Sequence, residues 1–321
     1  MNPYWDLSFF PFLQLFFYRL FLYATGALSF QDLSIDEVQI FSLFFFSIAT
    51  GIIGVFLLLR RMLMIATALS HTVLFGVIIA FLSIRFLLVD LSDLYQYPIY
   101  LFISALFSAW ITALLELFLT KGLGIQKDAG IGLAFNAIFA LGILLVTLFT
   151  RNMHMGIDLV TGSIDGACLQ DLRLLFYVAL LNSAFLAALY PALKITSFDP
   201  ILAKSLGSSL ALCQYVLLFL TAITIIASFR ATGIVLVLSF LVVPYLCARL
   251  CTAHLSKIVF FSPLFGSIAS IVGVAFSRHI LSVYSVALST GALVTVFLFI
   301  EYGCMLAYQS IRRQMRRQVI T

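Results

Sequence analysis

Nothing constrains this chain more than a succession of apolar runs, each about as long as a bilayer is thick. The hydrocarbon core is ~30 Å across, and a helix needs ~20 residues to cross it. Runs of that order recur near 8–28, 38–59, 62–84, 96–119, 129–150, 171–193, 211–229, 232–250, 257–277 and 283–306. Charged residues make up only 10% of the 321 residues and hydrophobic ones 63%, against about 25% charged in a soluble domain. Hydrocarbon offers backbone amides no water, so each run is expected as a helix that satisfies its own hydrogen bonds. The expected fold class is all-α: a polytopic helical transmembrane protein.

The first run is the weakest. Arg19 interrupts it, and Phe9, Phe10, Phe12, Phe16, Phe17 and Phe21 crowd it, so it either crosses or lies at the interface. No basic n-region or small-residue cleavage site marks a cleavable signal peptide. Five cysteines sit mostly in or beside apolar runs, which argues against a disulfide framework.

Basic residues orient the chain. With ten spans and a cytoplasmic amino terminus, the inside holds Arg60, Arg61, Lys121, Lys127, Lys194, Lys204, Arg249, Lys257, Arg312, Arg313, Arg316 and Arg317. The outer loops hold Arg85, Arg151, Arg230 and Arg278, with Arg173 near an outer boundary, and the acidic Asp32, Asp36, Glu37, Asp90, Asp93, Asp158 and Asp165 fall outside with them. That asymmetry is the positive-inside bias, so the net charge of +5 reads as topology and calls for no nucleic acid. The expected location is a bacterial plasma (inner) membrane with a cytoplasmic carboxyl terminus.

Three connections stand out. Residues 120–128 form a short polar turn, and 151–170 are too polar to span yet too apolar for a free loop, which suits a short outer or re-entrant segment packed on protein. In 194–208, Ser197 or Asp199 can cap a helix, Pro200 suits its first turn and Gly207 its end. A short cytoplasmic helix is expected there, with Phe198, Leu202 and Leu206 as its apolar contacts, serving as connector or docking knob. Farther on, two spans meet in a tight turn near Arg230 to Gly233, and Pro244 kinks the second.

The run 62–84 carries an ionisable group at depth. Thr67, Ser70, His71 and Leu74 fall at helical spacings on one face. That face either looks into a protected, partly wet cavity or packs His71 against a neighbouring helix with Ser70 and Thr67 as interhelical contacts. Cys247, Cys251 and His254, at i, i+4 and i+7, read as a soft-metal trio or as small helix-contact residues. Met153-His154-Met155 could meet metal at the outer mouth.

Several ordered blocks across about 38–306 resemble the permease subunits of metal-ion ABC importers, which move zinc, manganese or iron. Arg60 to Gly76 resembles that family's Arg-Arg-Met … Gly-Asp-Ala-Leu-Ser-His … Leu-Pro-Gly block without a gap. Asp128-Ala-Gly-Ile-Gly-Leu-Ala-Phe with Phe139-Ala-Leu-Gly142 resembles its next signature. Phe198-Asp199-Pro200 with Ala203 and Leu206-Gly207 resembles its ATPase-docking segment. Gly233-Ile-Val-Leu-Val-Leu, Val243-Pro244 and Ala248-Arg249-Leu250 resemble its late paired helices. The resemblance implies a vitamin-B12-permease-like fold, with two permease subunits around one pore and ABC ATPase subunits below. It also implies an extracytoplasmic metal-binding protein that delivers a divalent ion.

On that basis Thr67, Ser70 and His71 are the expected transport pathway, with His71 the metal contact. Phe198, Asp199, Pro200, Ala203, Leu206 and Gly207 are the expected ATPase-coupling residues. The expected organisation is an extra hydrophobic segment and outer loop over 1–37, the permease domain over 38–306 and a basic cytoplasmic tail over 307–321. The family's aspartate is Thr67 here and its proline is Phe75. A threonine offers only a neutral oxygen to a divalent ion, so a heterodimer whose second permease supplies the aspartate is expected over a homodimer.

No G-x-x-x-x-G-K-[ST] phosphate loop occurs, and none of the five lysines follows a glycine. The chain is therefore not expected to be an enzyme, to hydrolyse ATP by that route or to hold a permanent cofactor; the metal is cargo. Rival readings are a same-fold permease for a metal chelate or cobalamin, a secondary transporter, or an intramembrane enzyme using Ser70. Adjacent Ser-His on a helix point ~100° apart, and no nucleophile elbow or partner carboxylate accompanies them.

Overall fold

A computed structural model of the chain describes residues 3–5, 7–26, 28, 32–86, 98–149, 164–207 and 210–320. The expectations for Met153-His154-Met155, Asp90, Asp93, Arg151 and Asp158 fall outside the described residues. The helices are α1 (Phe9–Ala24), α2 (Ile35–Leu59), α3 (Leu63–Phe86), α4 (Pro98–Leu117), α5 (Lys127–Phe149), α6 (Leu169–Phe198), α7 (Pro200–Ser205), α8 (Leu210–Cys251), α9 (Leu255–Tyr284) and α10 (Thr290–Ile320). A π-helical turn, Phe118–Gly122, extends α4, a 3-10 turn spans Ile164–Gly166, and no strand occurs among the described residues. Among the described residues, eight helical stretches are long and apolar enough to cross a membrane, and Phe9–Tyr23 and Val235–Cys251 are shorter apolar helices. The all-α, multi-pass class stands.

Four boundaries differ from the sequence reading. The turn near Arg230 to Gly233 narrows to one residue: helix continues on both sides of Gly233, which sits at φ 75, ψ 166, a region essentially closed to any residue with a Cβ. The first run forms only 16 helical residues, ~24 Å of rise, and ends at Gly26 with φ 74. The break placed near 277–283 lies instead at 285–289, after α9 ends on Ser285 in the left-handed region (φ 54). Finally, the stretch read as a tail from 307 continues α10 to Ile320.

Long-range polar contacts explain two of these shifts. Arg278 stays helical on α9 and pairs with Asp36 in the first turn of α2. Its neighbour Glu37 receives Arg19 of α1 at 2.5 Å and the Tyr4 hydroxyl at 2.8 Å. Carboxylates at a helix amino terminus also meet the favourable end of its dipole. Asp36 and Glu37 are therefore buried partners, not free outer-loop charges. The start of α10 is held by Asp165, whose carboxylate accepts from both the hydroxyl and the amide of Thr290.

The chain divides into two compact units. In the first (Met1–Val55, Ser163–Ala188, Ser239–Thr321), α2 and α9 approach closely through small residues. Ser47 Oγ donates to the Pro263 carbonyl at 2.8 Å, and Ser262 Oγ to the Gly51 carbonyl at 3.1 Å. Such small-residue contacts let helices associate where lipid supplies no hydrophobic drive.

The second unit (Phe56–Gly162, Leu189–Leu238) holds every residue expected at the pathway and at the docking segment. Here α3 packs against α4 and α5 around buried Phe75, Ile78, Phe81 and Ile138. Gly76 makes the α3–α4 approach possible: a Cβ there would lie 2.6 Å from the Ser104 carbonyl oxygen and 2.7 Å from Ala105 Cα. Gly142 brings α5 against Phe75 in the same way, with a Cβ 3.2 Å from the Phe75 nitrogen. Gly76→Ala is expected to destabilise the purified protein by about 1–3 kcal/mol through overpacking, read as a lower melting temperature in detergent. Gly132→Ala, with nothing within 4 Å of the added methyl, should leave it unchanged or slightly raised.

Candidate functional site

The site builds from α3. Thr67 and Ser70 are one turn apart, and both hydroxyls return to their own helix: Thr67 Oγ1 donates to the Leu63 carbonyl at 3.1 Å and Ser70 Oγ to the Thr67 carbonyl at 2.8 Å. Ser70 is fully buried. His71 lies against α5, its ring stacked on Phe135 (centroids 5.5 Å, interplanar 15°) and edge-on to Phe139 (5.0 Å, 66°). Its Nδ1 is buried with no hydrogen-bond partner. Within this chain the His71 ring meets the aromatic rings of α5.

A cavity lies nearer the amino end of α3. It encloses about 500 Å³ between Arg60, Arg61, Met64, Asp128, Thr196, Ser197 and Gln214 among others, and Thr67, Ser70 and His71 do not line it. Arg60 dominates its wall. The Arg60 Nε donates to Ser197 Oγ at 3.0 Å, and a terminal nitrogen donates to Thr196 Oγ1. Those hydroxyls pass the polarity on, donating to the Ala192 and Leu193 carbonyls at 2.6 Å each. The guanidinium thus caps the carboxyl-terminal end of α6, where a cation meets the negative end of the dipole. Burial pulls the Arg60 pKa down from its ordinary value and contact with Cys213 works against that; arginine keeps its charge regardless.

The turn that presents Arg60 is strained. Met62 N donates to the Leu57 carbonyl at 2.9 Å and Arg61 N to the Leu58 carbonyl at 3.1 Å. This is the paired closure of a Schellman end, whose left-handed residue is usually glycine. Here it is Arg61, at φ 56. Neither the strain nor the Arg60 bridge was legible in the sequence, which showed only an arginine doublet at a span boundary.

The docking segment folds as its caps dictate. Asp199 Oδ1 accepts from the amides of Ile201 at 3.1 Å and Leu202 at 2.9 Å, Pro200 opens α7, and Gly207 follows it at φ 74. Its packing departs from the expectation: Ala203 is the buried residue at 0%, while Phe198 (63%), Ile201 (82%), Leu202 and Leu206 are exposed. An exposed apolar cluster on a capped six-residue helix offers contact surface outward. Elsewhere, Cys247 is buried, Cys251 and His254 are exposed, and no three-ligand metal cluster occurs among the described residues. None of Cys168, Cys213, Cys247, Cys251 and Cys304 is in a disulfide.

The profile of the ABC 3 transport family matches residues 35–308. The chain belongs to that family. The match begins at the first residue of α2 and leaves α1 outside it. A "Probable metal transport system membrane protein" of Chlamydia muridarum is 33% identical over 318 residues, 99% of this chain and 98% of that one. The "Manganese transport system membrane protein MntD" of Bacillus subtilis is 35% identical over 244 residues, covering 72% and 79%. In fold the chain is similar to PsaBC from Streptococcus pneumoniae, solved in complex with Fab, at TM-score 0.72 and 24% identity, over 86% of this chain and 92% of that one. As a member of the ABC 3 transport family, this is a multi-pass permease of the metal-ion ABC class and not itself an enzyme. That sets aside the secondary-transporter and intramembrane-enzyme readings.

The cap on α7 makes a direct prediction. Asp199→Ala should cost about 1 kcal/mol of local helix stability, seen as roughly fivefold faster hydrogen exchange at the Ile201 and Leu202 amides in nanodiscs. Asp199→Asn keeps the acceptor oxygen and should restore most of the protection.

Proposed function

We propose that this permease imports a divalent metal ion, manganese first among the candidates and zinc or iron behind it, across a bacterial plasma membrane. An extracytoplasmic metal-binding protein delivers the ion, and ABC ATPase subunits gripping Phe198, Asp199, Pro200, Ala203, Leu206 and Gly207 drive the passage. The carboxyl terminus is cytoplasmic, no cofactor is resident, and the metal is cargo. The names of the relatives from Bacillus subtilis and Chlamydia muridarum support metal as the cargo class.

The observation that carries the reading is the buried, unpartnered Nδ1 of His71 on α3. An imidazole nitrogen left without a partner at membrane depth is costly, and a passing ion supplies the missing contact. Neutral imidazole accepts manganese, iron and zinc alike. One helical position after Phe135, Asn136 is exposed in the apolar run of α5, an amide that hydrocarbon would leave unsatisfied. A pore shared with a second permease gives it water. Thr67 and Ser70, their hydroxyl protons committed to α3, line this route with weak oxygen donors. The ion therefore needs a stronger ligand from elsewhere, and a second, related permease carrying an aspartate in register with Thr67 fits that need.

Proteoliposomes holding this chain, its ATPase, the capture protein and the second permease should take up radioactive manganese on ATP addition. His71→Ala should lower uptake about tenfold or more, about 1.4 kcal/mol of barrier per factor of ten, with the complex still assembled. Undiminished uptake would remove His71 from the route, and full transport by a complex with this permease alone would remove the heterodimer.

A further inference from the structure

We infer that Arg60 is a positioning residue that ties the docking helix α7 to the pathway helix α3, so that movement of one is imposed on the other. The inference rests on the proposed ATP-driven import and adds to it the route by which α7 reaches His71.

Arg60 sits where three helix ends meet. It is the first residue after α2, its backbone amide closing on the Phe56 carbonyl at 3.1 Å. Its side chain binds Thr196 and Ser197 in the last turn of α6 and touches Cys213 in the first turn of α8. Two residues separate Ser197 from Pro200, the first residue of α7, and the Asp199 amide still closes on the Ile195 carbonyl at 2.8 Å. A displacement of α7 therefore moves Thr196 and Ser197 directly. On the other side, two residues separate Arg60 from Leu63, where α3 begins. Met62 is buried and locked to α2 by its amide, and the Ile65 and Ala66 amides close on the Met62 carbonyl at 3.2 and 3.4 Å. His71 follows eight residues after Leu63, about 12 Å along the same rigid helix.

The chemistry suits a strut better than a ligand site. A planar guanidinium holding two neighbouring hydroxyls fixes direction as well as distance, which a lysine cannot reproduce in full. Both hydroxyls are polarised by their bonds to α6 carbonyls, so the link is stiff from the α2–α3 turn through to the backbone of α6.

The test uses the complete complex in proteoliposomes, with ATP hydrolysis and radioactive manganese uptake measured on the same preparation. Arg60→Met should lower the manganese taken up per ATP about tenfold. Hydrolysis and the ATPase recovered with the purified complex should stay within about twofold, and the melting temperature should hold. Arg60→Lys should recover part of the lost coupling. The pair Thr196→Val with Ser197→Ala should reproduce the Arg60→Met defect, and combining all three should make it no worse, as expected for two ends of one link. Unchanged uptake per ATP in Arg60→Met overturns the inference. So do additive defects, or a parallel loss of uptake, hydrolysis and melting temperature, which marks a purely structural role. If the unaltered complex shows no ATP-driven manganese uptake, the import reading itself falls.

Discussion

Hydrocarbon gives a polar group no solvent, and that single condition decides where the hydroxyls of this protein go. Thr50, Thr112, Thr221, Thr224 and Thr232 each donate to the carbonyl four residues earlier on their own helix. Such back-bonding removes the donor at almost no cost in packing and leaves the helix surface effectively apolar. Two serine hydroxyls instead reach across to an opposing backbone, Ser47 to the Pro263 carbonyl and Ser262 to the Gly51 carbonyl. Both crossings stand beside a proline or a glycine, residues that bring the opposing backbone within reach.

Applied to α3, the same condition separates the three pathway candidates. Thr67 and Ser70 behave as ordinary intramembrane hydroxyls, their protons donated to their own helix, and their neutral oxygens are weak ligands for a divalent ion. His71 Nδ1 is buried without a hydrogen-bond partner. Phe135 and Phe139 flank it and supply dispersion but no hydrogen bond to Nδ1. The departure from the family aspartate then has a physical consequence: where a carboxylate would carry formal charge one turn from the imidazole, this chain offers a neutral hydroxyl.

The helices were legible because run length and apolar content are local properties, and α7 was legible because Asp199, Pro200 and Gly207 encode a cap, a first turn and a stop within nine residues. What stayed hidden depends on residues far apart in sequence. Arg278 read as an outer-loop cation until its partner Asp36, 242 residues away, drew it into α9. Arg19 read as a flaw in the first span until Glu37 received it. The break at Gly233 was placed in the right stretch but drawn too wide, because the sequence shows that a glycine is present without showing that its neighbours remain helical. For the candidate site, the face of α3 followed from spacing, whereas the aromatic wall opposite came from α5 and had no signal in the α3 sequence.

Arg61 shows how two demands on one position can conflict. Its φ of 56 is the conformation glycine adopts freely at a Schellman end and costs a side-chain-bearing residue about 1 kcal/mol. Conformation alone would therefore select glycine. Yet the side chain is exposed beside the α2–α3 turn, next to Arg60, whose own charge is engaged by Thr196 and Ser197 and half withdrawn from solvent. An exposed cation at a span boundary favours the cytoplasmic side during insertion and is drawn to anionic lipid by about 1 kcal/mol. The two effects are of the same order and opposite in sign. The doublet then divides its labour: Arg60 binds the end of α6, and Arg61 keeps its side chain exposed.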